Sequence, residues 1–134
     1  MKFSLCMIVK NEEAVLNRCL ESMASAMDEI IIVDTGSTDA TKKIAAAYTD
    51  QIYDFAWTGN FAEARNYAAS KATGDYIYTA DADEYLEPEE LQKLLQLKKV
   101  LLPEVEIVQM LYCTPPELST VYNFAEYYLS LIHI

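Results

Sequence analysis

The chain has 134 residues, which fits one domain with its own apolar core, since a domain typically spans roughly 100–200 residues. Ten Lys and Arg against 21 Asp and Glu leave a formal net charge of −11, which excludes the basic footprint that draws proteins onto nucleic acid or anionic lipid. With 52% apolar and 23% charged residues, the composition is that of a folded globular protein and not of a disordered chain.

Residues 3–9 (FSLCMIV) form a continuous apolar run with a β-branched end, the pattern of a strand buried on both faces. Asn11 then offers a helix N-cap, Glu12 and Glu13 suit the positive end of a helix dipole, and Val15, Leu16, Cys19, Leu20 and Met23 recur at three-to-four spacing. These predict an amphipathic helix to about Ala26. Residues 29–34 (EIIIVD) read as a second buried strand, followed by a polar turn in which Ser37, Thr38 and Asp39 are candidate caps. Ala40, Ile44, Ala47 and Tyr48 mark the apolar side of a second helix.

A short strand over 51–55 and a loop over 56–60 lead into a third helix from Phe61 to about Ala72, with Phe61, Ala64, Ala68 and Ala72 on one face. Asn60 with Glu63 three residues on resembles a capping box. Residues 75–79 are a fourth strand. Pro88 opens a fourth helix whose buried stripe is Leu91, Leu94, Leu95 and Leu102, and Pro103 ends it. Residues 105–112 read as a fifth strand, 114–117 (TPPE) break the pattern, and 122–134 form an apolar, tyrosine-rich end without a clear partner.

Strands alternating with helices imply an α/β fold: a mostly parallel sheet with right-handed crossovers and helices on both faces. Ligands of such sheets bind beyond the carboxyl ends of the strands, where this chain places Lys10-Asn-Glu12, Asp34-Thr-Gly36 and Ala80-Asp-Ala-Asp-Glu84.

Scarce residues narrow the chemistry. The single histidine, His133, leaves no basis for a His-based triad or a HExxH zinc site. Glycine occurs only at positions 36, 59 and 74, which excludes both GxGxxG and the P-loop. Cys6, Cys19 and Cys113 are widely spaced and odd in number, which fits buried reduced thiols in a cytoplasmic protein. Lys10, Glu12 and Glu13 interrupt the first apolar run, and no stretch reaches the ~20 apolar residues of a membrane helix, so no transmembrane segment is expected.

Between Asp81 and Glu90 lie six carboxylates and no Lys or Arg. Mg²⁺ or Mn²⁺ takes oxygen ligands, commonly one or two carboxylates plus phosphates and water, so a strand-end Asp81-Ala-Asp83 suits a metal–diphosphate complex. An ordinary helix start accounts for Glu87, Glu89 and Glu90 around Pro88. Asp34 offers its carboxylate to a base or ribose, or to an Asx-turn into Thr35-Gly36. Arg65 suits a phosphate clamp or an ion pair with a strand-end aspartate. Phe55 and Trp57 read as stacking residues or as core.

Four segments together, residues 4–13, 29–39, the Trp57…Asn60-Phe61…Ala64-Arg65-Asn66 stretch and Asp81-Ala-Asp-Glu84, resemble family 2 glycosyltransferases of the GT-A fold over about residues 3–102. The resemblance implies a metal-dependent transferase that moves a sugar, with inversion, from a nucleotide-diphosphate donor, usually a UDP-sugar, using Mn²⁺ or Mg²⁺. It implies that Glu12 borders the nucleotide, Asp34 contacts the base, Arg65 lies near base and phosphates, Asp81 sits near the ribose, and Asp83 binds the metal with Asp81. It also implies one domain over 1–134, of which 3–102 is the donor-binding half and 103–134 an incomplete or atypical end lacking the acceptor half. No catalytic base or acceptor is assigned, since neither Glu117 nor Glu126 has a matching context. Two other readings stay open: a receiver-like or regulatory acidic α/β domain phosphorylated on Asp34 or Asp81, and an interaction module that uses residues 122–134.

Overall fold

A computed structural model describes residues 1–113 and 126–133, and the side chains of residues 1–110. Its strands are β1 (Phe3–Val9), β2 (Glu29–Asp34), β3 (Ile52–Asp54), β4 (Tyr76–Thr79), β5 (Ile107–Cys113) and β6 (Glu126–His133). The helices are α1 (Leu16–Met23), α2 (Thr41–Ala45), α3 (Phe61–Lys71) and α4 (Pro88–Val100), with a 3₁₀ turn at Ala24–Ala26. The strands form one sheet in the order β3-β2-β1-β4-β6-β5. The first four pair in parallel, and β6 runs antiparallel to both β4 and β5.

The apolar run of β1 is buried on both faces because helices cover both. Phe3, Leu5, Met7 and Val9 point, with Ile30, Ile32, Tyr76 and Tyr78, into a core closed by Leu16, Cys19, Leu20 and Met23 of α1, Ala45 of α2 and Leu94 of α4. Cys6 of β1 alternates to the other face and meets Ile31, Val33 and Ala68 of α3. Each large side chain so enclosed contributes about 1.5–3 kcal/mol relative to exposure. Cys6 and Cys19 are free thiols inside these cores, and burial pushes each up to about 12, so both are packing residues. The Cys113 side chain lies outside the described residues.

The structure corrects several local expectations. Asn11 is not the cap of α1: it adopts φ +53°, and the helix begins at Leu16 behind Val15, which supplies no side-chain cap. The buried face of α2 is Thr41 and Ala45, with Ile44 and Tyr48 only partly covered and Ala47 exposed, because the helix is a single turn and a half. Phe61 leaves the apolar face of α3, where Ala64 and Ala68 alone are buried, and stands exposed. Leu102 lies beyond α4 and is exposed, while Leu94 is buried. The tyrosine-rich end does have a partner: residues 126–133 enter the sheet between β4 and β5, pairing Tyr76 with His133 and Cys113 with Glu126.

Gly74, just before β4, is a close-approach glycine. A Cβ there would lie 2.6 Å from Ser4 Oγ and 2.8 Å from the Lys2 carbonyl oxygen. Among the described residues, no helix is long and apolar enough to cross a membrane.

Candidate functional site

Parallel pairing brings Val9 level with Asp34 and Cys6 level with Thr79, so the chain leaves β1, β2 and β4 along one edge. Side chains stitch the first two exits together. Asn11 N–H donates to Ser37 Oγ at 2.9 Å, Asn11 Oδ1 accepts from Thr38 N–H at 2.7 Å, and Glu12 N–H donates to Thr41 Oγ1 at 2.8 Å. The N-cap position of α2 falls to Ala40, which supplies no side-chain cap, while Asp39 just before it accepts from Thr41 N–H at 2.9 Å and Ser37 and Thr38 serve the cross-loop bonding. The left-handed φ of Asn11 is tolerable for a short polar side chain that bonds locally.

Asp34 makes the Asx-turn. Its Oδ1 accepts from Gly36 N–H at 2.9 Å and Ser37 N–H at 2.8 Å, and Gly36 supplies the φ of +114° that the turn requires. The side chain is 2% exposed, and its second oxygen, Oδ2, is buried without a partner. An orphaned carboxylate oxygen at a strand end is an unused acceptor, since buried polar atoms otherwise find partners.

Beyond the strand ends lies a cleft of about 620 Å³ that brings together Glu12, Arg65, Asp81 and Asp83. Asp34 is not among its walls, but the adjacent Thr35 is. Arg65 projects from α3, whose start is fixed by Asn60 Oδ1 accepting from Ala62 N–H at 2.9 Å. The anticipated return bond of a capping box is replaced: Glu63 Oε2 accepts from Thr58 Oγ1 at 2.6 Å. Arg65 Nη2 stands 3.5 Å from Asp81 Oδ1. Trp57 and Phe61 complete one wall, their rings meeting edge to face at 4.8 Å. Phe55, by contrast, packs inward against Tyr67.

Acid outnumbers base on the cleft walls, with Glu12, Asp81 and Asp83 facing Lys10 and Arg65. Burial, then the charges of Asp83, Asp81 and Asp39, pushes the Glu12 carboxyl up from its ordinary range. Burial above all pushes the Glu84 carboxyl to about 7, with the charges of Asp81 and Asp83 adding to it, and Glu84 Oε2 is buried with no partner. Among the described residues, no group of three or more His, Cys, Asp or Glu is arranged to hold a metal by itself. Mg²⁺-type sites do not need one, because they take one or two carboxylates and complete their shell with phosphate and water. The oxygen-only donors Asp81 and Asp83, in a cleft whose acids repel one another, fit that group.

Trp57 takes the stacking position of its two readings, Phe61 joins the cleft wall although its spacing reads as core, and Glu84 is buried beside the acidic pair without lining the cleft. Glu84 could have been flagged as the third acid of the strand-end cluster, but nothing in the sequence marks which of six acids is buried. A second hollow, of about 360 Å³, lies at the opposite ends of the strands and is lined by Lys2, Asp28, Glu29, Gln51, Thr73 and Gly74. Its Glu29 is fully engaged, accepting from Ser4 Oγ, Thr73 N–H and Oγ1, and Gln51 Nε2.

Comparison with known proteins gives a consistent result. The family model described as glycosyl transferase family 2 matches residues 4–125. The chain is 47% identical over 83 residues to a TPR repeat-containing protein of Synechococcus elongatus, covering 62% of this chain and 21% of that protein. It is 36% identical over 88 residues to an uncharacterized glycosyltransferase of Rickettsia typhi, covering 66% of this chain and 30% of that one. Among solved structures, S. aureus TarS 1–349 in complex with UDP superposes with a TM-score of 0.58 at 27% identity, over 74% of this chain and 32% of that one. The chain thus spans about a third or less of the length of these proteins.

Proposed function

The chain belongs to glycosyl transferase family 2 and has the α/β fold of GT-A glycosyltransferases, and on that premise we propose that residues 3–102 are the donor-binding half of a transferase using a uridine-diphosphate sugar. The observation that carries this reading is the convergence of Glu12, Arg65, Asp81 and Asp83 on one cleft beyond the strand ends. The UDP complex of the 27%-identical S. aureus protein supports the choice of nucleotide. Residues 107–113 and 126–133 continue the same sheet as β5 and β6, which supports one domain. The reduced, buried Cys6 and Cys19 support a cytoplasmic setting.

In this mechanism the bond between the anomeric carbon and the diphosphate oxygen breaks, and its electron pair leaves with UDP. An acceptor hydroxyl bonds the carbon from the opposite face, inverting it, as its proton passes to a base in the acceptor half. Arg65 sets a guanidinium beside the developing diphosphate charge, where a fixed cation is worth more than in water. Asp83 and Asp81 would hold Mn²⁺ or Mg²⁺, which supplies further positive charge against the leaving diphosphate. Asp34, behind Thr35 of the cleft wall, would offer its unpartnered Oδ2 to an N–H of the base once the base displaces the cover over that oxygen. Glu12 closes the nucleotide side.

Trp57 is the only tryptophan of the chain and lines the cleft, so its fluorescence reports occupancy directly. Titration with UDP should give a saturable change that inorganic phosphate does not. No response to UDP, together with covalent labelling of Asp34 or Asp81 by acetyl phosphate, would establish the receiver-like alternative instead.

A further inference from the structure

The segment that carries Asp81 and Asp83 has little structure of its own. Residues 80–87 belong to no strand or helix, and the backbone hydrogen bond that closes a turn within them runs from Glu84 N–H to the Asp81 carbonyl at 3.0 Å. Besides the ion pair of Asp81 with Arg65, the contacts that hold its backbone come from α1. Arg18 Nη2 donates to the Asp83 carbonyl at 3.1 Å, and its guanidinium lies 4.3 Å from the centre of the Tyr85 ring. Next to it, Cys19 Sγ donates to the Asp81 carbonyl at 3.7 Å. One turn further, Ser22 Oγ accepts from Leu86 N–H at 3.0 Å while donating to the Cys19 carbonyl at 2.7 Å. Residues 18, 19 and 22 share one edge of the helix by their three-to-four spacing.

These contacts from α1 engage backbone groups of the loop and the Tyr85 ring, and none uses the carboxylates of Asp81 or Asp83. An arginine near two aspartates would ordinarily pair with their charge. Arg18 bonds the peptide oxygen of Asp83, so α1 fastens the loop by its backbone, leaving the Asp83 carboxylate to the cleft and the Asp81 carboxylate to the cleft's own Arg65. The contact with the Tyr85 ring restrains the guanidinium beside the bond it donates.

We propose that Arg18 is a positioning residue for the acidic loop, clamping the Asp83 peptide so that the Asp81 and Asp83 carboxylates meet a divalent cation and a nucleoside diphosphate together. This rests on the donor-site reading above. Outer partners that orient metal ligands typically change metal affinity about 10–100-fold when removed.

The test compares the full chain with Arg18→Met and Arg18→Lys in two measurements. In the first, free Mn²⁺ is counted by electron paramagnetic resonance during titration in the presence of UDP, and UDP affinity is measured separately without metal. Arg18→Met should weaken Mn²⁺ binding roughly 10–100-fold, Arg18→Lys should recover part of the loss, and metal-free UDP affinity should be unchanged. In the second, amide hydrogen exchange at Glu84 and Leu86 is followed without any ligand, and Arg18→Met should accelerate it while β1 and β2 stay protected. Wild-type Mn²⁺ affinity in Arg18→Met, equal loss of metal-free UDP binding, or unchanged exchange at Glu84 and Leu86 would each overturn the proposal. If the wild-type chain bound no Mn²⁺ with UDP, the donor-site reading would fall, and the exchange measurement would still decide whether Arg18 clamps the loop.

Discussion

Arg65 Nη2 lies 3.5 Å from Asp81 Oδ1, an ion pair that joins α3 to the loop after β4 across the cleft. Both side chains are at least half exposed, at 50% and 62%, so screening limits what the pair adds to folding to about 0–1 kcal/mol. Its consequence is positional: it keeps a guanidinium directly beside a carboxylate that would otherwise repel a diphosphate, adding to the Lys10 charge on the same cleft wall.

Arg65→Met should therefore leave thermal stability within about 1 kcal/mol of the parent while weakening UDP roughly tenfold or more, as loss of a charge-assisted bond of about 1.5–3 kcal/mol implies. Calorimetric titration and a melting curve on the same sample check both halves.

Asp34 separates structure from binding within one side chain. Asp34→Asn keeps an Oδ1 for Gly36 and Ser37 N–H but replaces the orphaned Oδ2 with a donor. It should fold within about 1 kcal/mol of wild type and lose UDP binding, whereas Asp34→Ala should also cost about 1–3 kcal/mol by stranding the turn's N–H groups. Urea unfolding of the two variants, each titrated with UDP, distinguishes the two roles.

Gly74 predicts the reverse pattern. Its Cβ would meet Ser4 Oγ at 2.6 Å and the Lys2 carbonyl oxygen at 2.8 Å, and the second of these is backbone that cannot swing away. Gly74→Ala should cost about 1–3 kcal/mol in urea unfolding, as overpacking does, with the UDP affinity of the folded fraction unchanged because the site lies at the other end of the strands.

Acid should destabilise the chain in part through that same far end. Burial raises the Glu29 carboxyl, but hydrogen bonds from Ser4, Thr73 and Gln51 outweigh it and leave it below its ordinary value. At Asp28, burial is likewise outweighed by Lys98 and the Phe3 N–H. A lowered carboxyl binds fewer protons in the native than in the unfolded chain, so its contribution is complete above the unfolded values, about 3.9 for Asp and 4.3 for Glu. That contribution is lost as pH falls through the lower folded values. The urea midpoint should drop on acidification below about pH 4.5, and Glu29→Gln should show a shallower drop from a lower starting point.

What the sequence disclosed depended on how local the physics was. The runs 3–9 and 29–34 identify themselves because strands covered by helices on both faces need apolar side chains on both sides and so lose the usual alternation, and α1 declares its face through Leu16, Cys19, Leu20 and Met23. Asn60 caps α3 as its position before Phe61 suggests. Asn11 misled because the same residue type serves both as a helix cap and as a left-handed turn, and its partners Ser37 and Thr38 lie 26 and 27 residues away. Phe61 carries the spacing of a core residue, yet it stands in the cleft beside Trp57, a placement that depends on where the β3–α3 loop runs. The place of residues 126–133 between β4 and β5 is a pairing across distant sequence, which an apolar run without alternation does not specify. Around the cleft, the motif order singled out Glu12, Arg65, Asp81 and Asp83 as candidates, and the fold brings these four to one hollow, but the burial of Glu84 and the grip of Arg18 on the Asp83 carbonyl are tertiary facts.

The central claim is that Asp83 and its neighbours bind a nucleoside diphosphate together with a divalent ion. Isothermal titration of UDP into the wild-type chain and Asp83→Ala, each with and without Mn²⁺, tests it most directly. The account predicts that Mn²⁺ tightens UDP binding to the wild-type chain and that Asp83→Ala, still folded, loses this enhancement. Equal UDP affinity with and without Mn²⁺, unaffected by Asp83→Ala, would contradict it.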